Sequence, residues 1–105
     1  MKINVTRQDG MVEVAIVGRI DNFTSAHFEQ DLNILIKTGV KKIVLDFTET
    51  NHLGVLTIHF LKKTIIEFME NGGRMSMRCP NSKICSRIHS FISCDEIPLE
   101  QCELV

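Results

Sequence analysis

The chain has no tryptophan and no tyrosine, and its six phenylalanines are scattered. It therefore lacks the aromatic platforms on which single-stranded bases stack. Twelve basic residues set against thirteen acidic ones leave a formal net charge of −1. The lysines and arginines are dispersed, so there is no basic stripe to neutralise a run of phosphates, and nucleic-acid binding is not expected. No apolar run is long enough to span a bilayer. Met1-Lys2-Ile3-Asn4 leads directly into alternating sequence rather than a hydrophobic leader, so the reading is cytoplasmic, with no direct membrane insertion. The four cysteines, Cys79, Cys85, Cys94 and Cys102, form no CxxC. Buried thiols are expected from them, rather than a disulfide framework or a structural zinc.

What is present is an ordinary globular balance, 44% hydrophobic and 24% charged over 105 residues, enough for one core and too little for a separate catalytic lobe. A single domain over 1–105 is expected. Val12, Val14 and Ile16 alternate with Met11, Glu13 and Ala15 after a turn at Asp9-Gly10, which predicts a hairpin of residues 2–6 and 11–17. Gly18-Arg19-Ile20-Asp21-Asn22 breaks that period. Thr24 or Ser25 can cap a helix carrying Phe28, Leu32, Leu35 and Ile36, which Gly39 ends.

Residues 40–47 read as a central strand, 48–53 as a loop, and 55–70 as a second helix with Val55, Ile58, Leu61, Ile65, Phe68 and Met69 on its inward side, closed by Asn71-Gly72-Gly73. A strand over 74–79 follows. After it Asn81 and Ser82 cap a short helix that turns Ile84, Ile88 and Phe91 inward, and Ile97-Pro98-Leu99 is at most an edge fragment. The order ββαβαβα predicts an α/β fold: a mixed, mainly parallel sheet with helices packed on it.

This order, with Val17-Gly18-Arg19-Ile20-Asp21, Thr24-Ser25-Ala26, Ile43-Val44-Leu45-Asp46, Gly72-Gly73 and Arg87-Ile88 at matching places, resembles the STAS family over roughly residues 3–100. That family includes bacterial anti-sigma factor antagonists and the cytoplasmic tails of sulfate transporters. In its phosphorylatable members the loop after the central strand reads Asp-Ser-Ser/Thr-Gly, with the acceptor at the start of a helix, where free amides and the helix dipole favour negative charge. Counting back from Gly72-Gly73 places Gly54, Val55, Leu56 and Thr57 there, so Leu56 stands at the acceptor position without a hydroxyl. Thr57 is a possible phosphorylation site one residue on, turned about 100° around the helix.

Helical projection places Leu56 and Phe60 among polar residues one turn apart, beside Gly54. Two readings stay open for them: an exposed partner-binding patch at the helix start, or edge core. Asp21 and Asn22 lie at the same sheet end in a parallel arrangement, and also suit a turn on backbone grounds alone. The candidate partner-binding set is therefore Asp21, Asn22, Gly54, Val55, Leu56, Thr57 and Phe60.

No enzyme is expected. His27, His52, His59, His89, the cysteines and Asp46 assemble no nucleophile, base and orienting group, and neither metal nor cofactor is implied. Asp46 reads as a strand-end carboxylate tying its own loop. The resemblance implies a non-catalytic signalling module that binds a serine kinase or anti-sigma factor in bacterial partner switching and transcription regulation. With leucine at the acceptor position, a constitutive binder or a scaffold is expected. An accessory subunit of a membrane transport complex, and a small-ligand sensor, are the other readings left open.

Overall fold

The computed structural model describes residues 1–79, 82–92 and 99–100. β1 (Lys2–Gln8) and β2 (Met11–Ile20) form an antiparallel hairpin with Gln8 opposite Met11. Its two-residue turn places Asp9 at φ 48° and Gly10 at φ 78°, both left-handed. That pairing gives the twist a tight hairpin needs, and Asp-Gly is among the dipeptides that accept it most readily.

Three further strands extend the sheet in parallel in the order β1-β2-β3-β5-β6, with β3 at Lys42–Asp46, β5 at Arg74–Arg78 and β6 at Leu99–Glu100. The helices are α1 (Ser25–Lys37), α2 (Val55–Glu70) and α3 (Ser82–His89). The predicted order holds, with two short strands added to it.

One of these, β4 (Thr50–Leu53), occupies the segment expected to be loop. β3 ends at Asp46, whereas β2 runs on to Ile20, so the last residues of β2 have an open edge. β4 fills it in parallel, with Gly18 opposite Thr50 and Ile20 opposite Leu53, and the register shifts between Gly18 and Arg19. Gly18 sits at φ 101° and its N–H donates to the Glu49 carbonyl at 3.0 Å. A bulge of this kind re-aims a strand. It swings the end of β2 away from β3 and toward β4, and the buried Thr50 hydroxyl anchors the new pairing by donating to the Ile16 carbonyl at 2.7 Å.

The core lies where Val12, Val14 and Ile16 of β2, Ile43 and Leu45 of β3, and Met75 and Met77 of β5 meet the helices. α1 presents Phe28, Leu32 and Leu35, as predicted. α2 presents Thr57, Ile58, Leu61, Thr64, Ile65 and Phe68, so it is rotated from the expected face: Val55 and Met69 are exposed and two threonines are turned inward. α2 ends in a Schellman motif, with Gly72 N–H bonded to the Met69 carbonyl at 3.1 Å and Gly73 N–H to the Phe68 carbonyl at 2.9 Å.

On α3, Ile84 and Ile88 are buried as expected. Phe91 is not: it lies outward with its ring edge-on to His59, and Ile92 takes the inward place. The expected caps Asn81 and Ser82 fall where no side chain is described, and Ile97 and Pro98 lie outside the described residues. Cys79 is a buried thiol as expected, but Cys85 is disulfide-bonded, which corrects the expectation for that residue. Sequence spacing excludes a CxxC but says nothing about which cysteines approach within bridging distance in space. Cys94 and Cys102 lie outside the described residues. Among the described residues no helix is long and apolar enough to cross a membrane.

Candidate functional site

The ends of β2 and β4 lie side by side, so the loops leaving them, and the helices those loops open, meet at one end of the sheet. Gly54 N–H donates to the Ile20 carbonyl at 2.9 Å, which holds the start of α2 against the end of β2. From the other side, Arg87 of α3 donates through Nε to the Leu53 carbonyl at 2.6 Å. The first turns of α1 and α2 are joined by a buried contact of 2.9 Å between Ser25 Oγ and Thr57 Oγ1. Ser25 also donates to Glu29 Oε2 at 3.0 Å.

The loop between β2 and α1 is organised by Asp21. Its Oδ1 accepts from the Phe23 amide at 2.9 Å and the Thr24 amide at 3.1 Å. Its own amide donates back to Thr24 Oγ1 at 3.0 Å. These reciprocal bonds make the Asx-type turn that precedes many helices, so the Thr24 hydroxyl is spent on Asp21 rather than on capping α1 as expected. The Phe23 amide is the main influence holding the Asp21 carboxyl below its ordinary range. The Thr24 groups and the Arg19 guanidinium, 3.4 Å away, add to it against partial desolvation.

The turn leaves the Phe23 side chain 94% exposed. Sequence reasoning missed this residue. The available signal was a large apolar side chain within a turn already specified by its polar neighbours, where no element period calls for it. Across the junction, Val55 and Leu56 in the first turn of α2 are also exposed, Leu56 at 66%. No side chain caps α2, its N-cap being Gly54, and its first turn has no acidic residue. This end of the sheet thus combines a cluster of exposed apolar side chains with the positive end of a 16-residue helix.

The two readings of Leu56 and Phe60 divide between them. Leu56 is outward. Phe60 is half-buried against the core, its ring edge-on to Phe28 at a centroid distance of 6.3 Å, and belongs to the core margin. Asp21, Asn22, Gly54, Val55 and Leu56 are brought to one end, but Phe60 is removed from the open patch. Thr57, the possible phosphorylation site, is only 1% exposed, and its hydroxyl points into the junction of α1 and α2 against Ser25.

Asp46 behaves as a local tie. It accepts from the Thr48 amide at 2.9 Å and from the Thr48 hydroxyl, and lies 3.6 Å from Arg78. His52 sits half-buried in β4 and His59 outward on α2. No group of three His, Cys, Asp or Glu among the described residues could hold a metal ion. At this end the Asp21 carboxylate is tied into a turn, and the Ser25 and Thr57 hydroxyls are buried against each other.

The family model for the STAS domain matches residues 2–102. The chain is a member of the STAS family. Solved structures show the same fold. An anti-sigma factor antagonist from Mycobacterium paratuberculosis superposes with a TM-score of 0.78 at 23% identity, covering 93% of this chain and 83% of that one. The unphosphorylated anti-sigma factor antagonist SpoIIAA superposes with a TM-score of 0.69 at 14% identity, covering 87% and 84%. Among curated proteins no sequence matches the chain.

Proposed function

We propose that this STAS domain is a non-catalytic, cytoplasmic interaction module of a bacterial partner-switching system. It binds a serine kinase or anti-sigma factor through the end of the sheet that carries Phe23, Val55 and Leu56, with Asp21, Asn22 and Gly54 shaping the surface. The observation that carries this reading is Leu56: at the position the family resemblance assigns to the phosphate acceptor stands an apolar side chain that is 66% exposed. Fully burying a leucine in an interface is worth roughly 1.5–3 kcal/mol, and an aromatic neighbour such as Phe23 adds a comparable anchor.

Binding on this reading is constitutive. A phosphate would add a charge of about −2 at that position, and leucine cannot carry it. Thr57 does not replace the missing hydroxyl, since it is buried against Ser25.

The test is capture from a lysate of the native organism with wild type and Leu56→Asp side by side, followed by calorimetry with the purified partner. A kinase-like ATPase or anti-sigma protein whose affinity falls by about 30-fold or more in Leu56→Asp, equivalent to about 2 kcal/mol, is the expected result. Capture of a permease or transport ATPase instead would replace the sigma-factor reading with a transport one. Equal binding by both proteins would remove the site, and stoichiometric phosphate on the native protein would remove constitutive binding.

A further inference from the structure

β1 is the outer strand of the sheet, so one row of its backbone N–H and C=O groups has no strand partner among the described residues. Natural sheets usually blunt such an edge with charge, proline or a bulge. Between Lys2 and Arg7 this strand has none of these; it reads Ile3-Asn4-Val5-Thr6, and all but Ile3 are exposed. Beside it runs a groove of about 660 Å³ between β1 and α1, mostly apolar, lined by Ile3, Val5, Val14 and Ile34 among others, with Arg7 and Asp31 also on its wall. Val5 is 51% and Ile34 57% exposed. An unpaired backbone edge flanked by an apolar trough has both requirements for strand addition: main-chain hydrogen bonds for affinity and a seat for alternate side chains.

We propose that the occupant is β1 of a second copy of this chain, paired antiparallel about a two-fold axis through Asn4. This goes beyond the partner-binding surface above and does not depend on it. The argument for a second copy is the self-complementarity of the strand. Residues directly opposite in an antiparallel pair share a face of the sheet, so a symmetric pairing must centre on a residue rather than between two.

Centring on Asn4 sets Ile3 against Val5 of the other copy twice, on the groove side, because Ile3 and Val5 share the face of their β2 partners Ile16 and Val14. On the opposite side Asn4 meets Asn4 and Lys2 meets Thr6. Centring on Val5 would set Ile3 against Arg7, and centring on Thr6 would set Val5 against Arg7. Of the three, only the Asn4 register sets Ile3 on Val5, with Arg7, on the same face, moved to the end of the row opposite Met1 of the other copy. An isologous contact of this kind closes on itself and leads to a dimer rather than a filament.

Sedimentation equilibrium on the whole chain tests this. Wild type is expected to approach twice the 12.0 kDa chain mass as concentration rises. Val5→Asp is expected to remain at 12.0 kDa and to keep the wild-type far-ultraviolet circular dichroism spectrum, because Val5 is half exposed in the monomer. Asn4→Cys reads the register. Directly opposite Cα atoms lie about 4.5–5.5 Å apart, within the range a disulfide bridges, so mild oxidation should link this variant covalently. Val5→Cys should not link, and wild type controls for the native cysteines. A wild type still monomeric at about 1 mM, the weak end of specific affinity, would overturn the proposal. So would a dimer untouched by Val5→Asp, or one that links through Val5→Cys and not through Asn4→Cys.

Discussion

Replacing Ser25 by alanine removes one hydroxyl from the joint between α1 and α2, and its effect can be worked out from proton bookkeeping. Ser25 is 7% and Thr57 1% exposed, and their hydroxyl oxygens lie 2.9 Å apart. A serine has one proton to give, and an ionised carboxylate only accepts. Since Ser25 donates to Glu29 Oε2, Thr57 must be the donor in the buried pair. Ser25→Ala therefore leaves a buried donor with nothing to meet it, which costs about 1–3 kcal/mol. The better helix propensity of alanine offsets roughly half a kcal/mol of this.

Thr57→Val removes the donor instead. A methyl then fills the space and Ser25 keeps Glu29, so the expected loss is below about 1 kcal/mol. In the double variant no donor is orphaned, and the two changes should cost less together than their sum by about 1–2 kcal/mol. Urea unfolding followed by far-ultraviolet circular dichroism, with a common slope for all four proteins, measures the cycle. In thermal scans Ser25→Ala should melt roughly 2–20 °C lower, given about 4–8 °C per kcal/mol for a domain of this size. If the two substitutions add to within about 0.5 kcal/mol, the hydroxyls are not coupled and the reasoning fails. The joint holds together the two first turns beside which Phe23 and Leu56 stand, the surface proposed above for partner binding.

Three other outcomes are expected. The folded-state pKa of Asp21 is depressed, so the carboxylate's stabilising contribution is present above its ordinary value of 3.8 and is lost as pH falls through the lower folded value. The melting-temperature gap between wild type and Asp21→Asn should therefore be flat from about pH 5 to 8 and should shrink in acid, and a gap that stays constant to about pH 2 would contradict the turn. Burial, helped by the Asp46 carboxylate, pushes the Cys79 thiol from 9.0 up to about 11, the opposite sign: its contribution is full below pH 9.0 and is lost as pH rises through about 11. The stability advantage of wild type over Cys79→Ala should narrow across that window, as read by urea midpoints. Arg87→Met removes a charged donor from the Leu53 carbonyl and should cost about 1.5–3 kcal/mol in urea unfolding, whereas a loss under about 0.5 kcal/mol would mean that water replaces the bond.

Local chemistry made the hairpin, α1 and the ends of α2 legible, because Asp9-Gly10, the Phe28-Leu32-Leu35 spacing and Asn71-Gly72-Gly73 each act within a few residues. β4 was not legible. Thr50-Asn51-His52-Leu53 carries no strong strand pattern, and it pairs only because the bulge at Gly18 aims the end of β2 at it from 32 residues away.

The rotation of α2 has the same kind of cause. A pattern of apolar residues turns Val55 inward, but Thr57 takes the inward place once a partner for its hydroxyl, Ser25, is supplied by another helix. That rotation moves Phe60 into the core margin, exposes Val55 and leaves Leu56 outward, so the one contact that sequence periodicity could not foresee also decides which apolar residues form the candidate site. Phe23 was hidden for a different reason. Its neighbours specify the turn so completely that the backbone account has no use for the phenyl ring, and an exposed ring with no structural task is what a binding surface supplies. Phe23→Ala should therefore leave the melting temperature unchanged while weakening capture of the partner lost in Leu56→Asp; a variant that destabilised the fold instead would return Phe23 to a structural role.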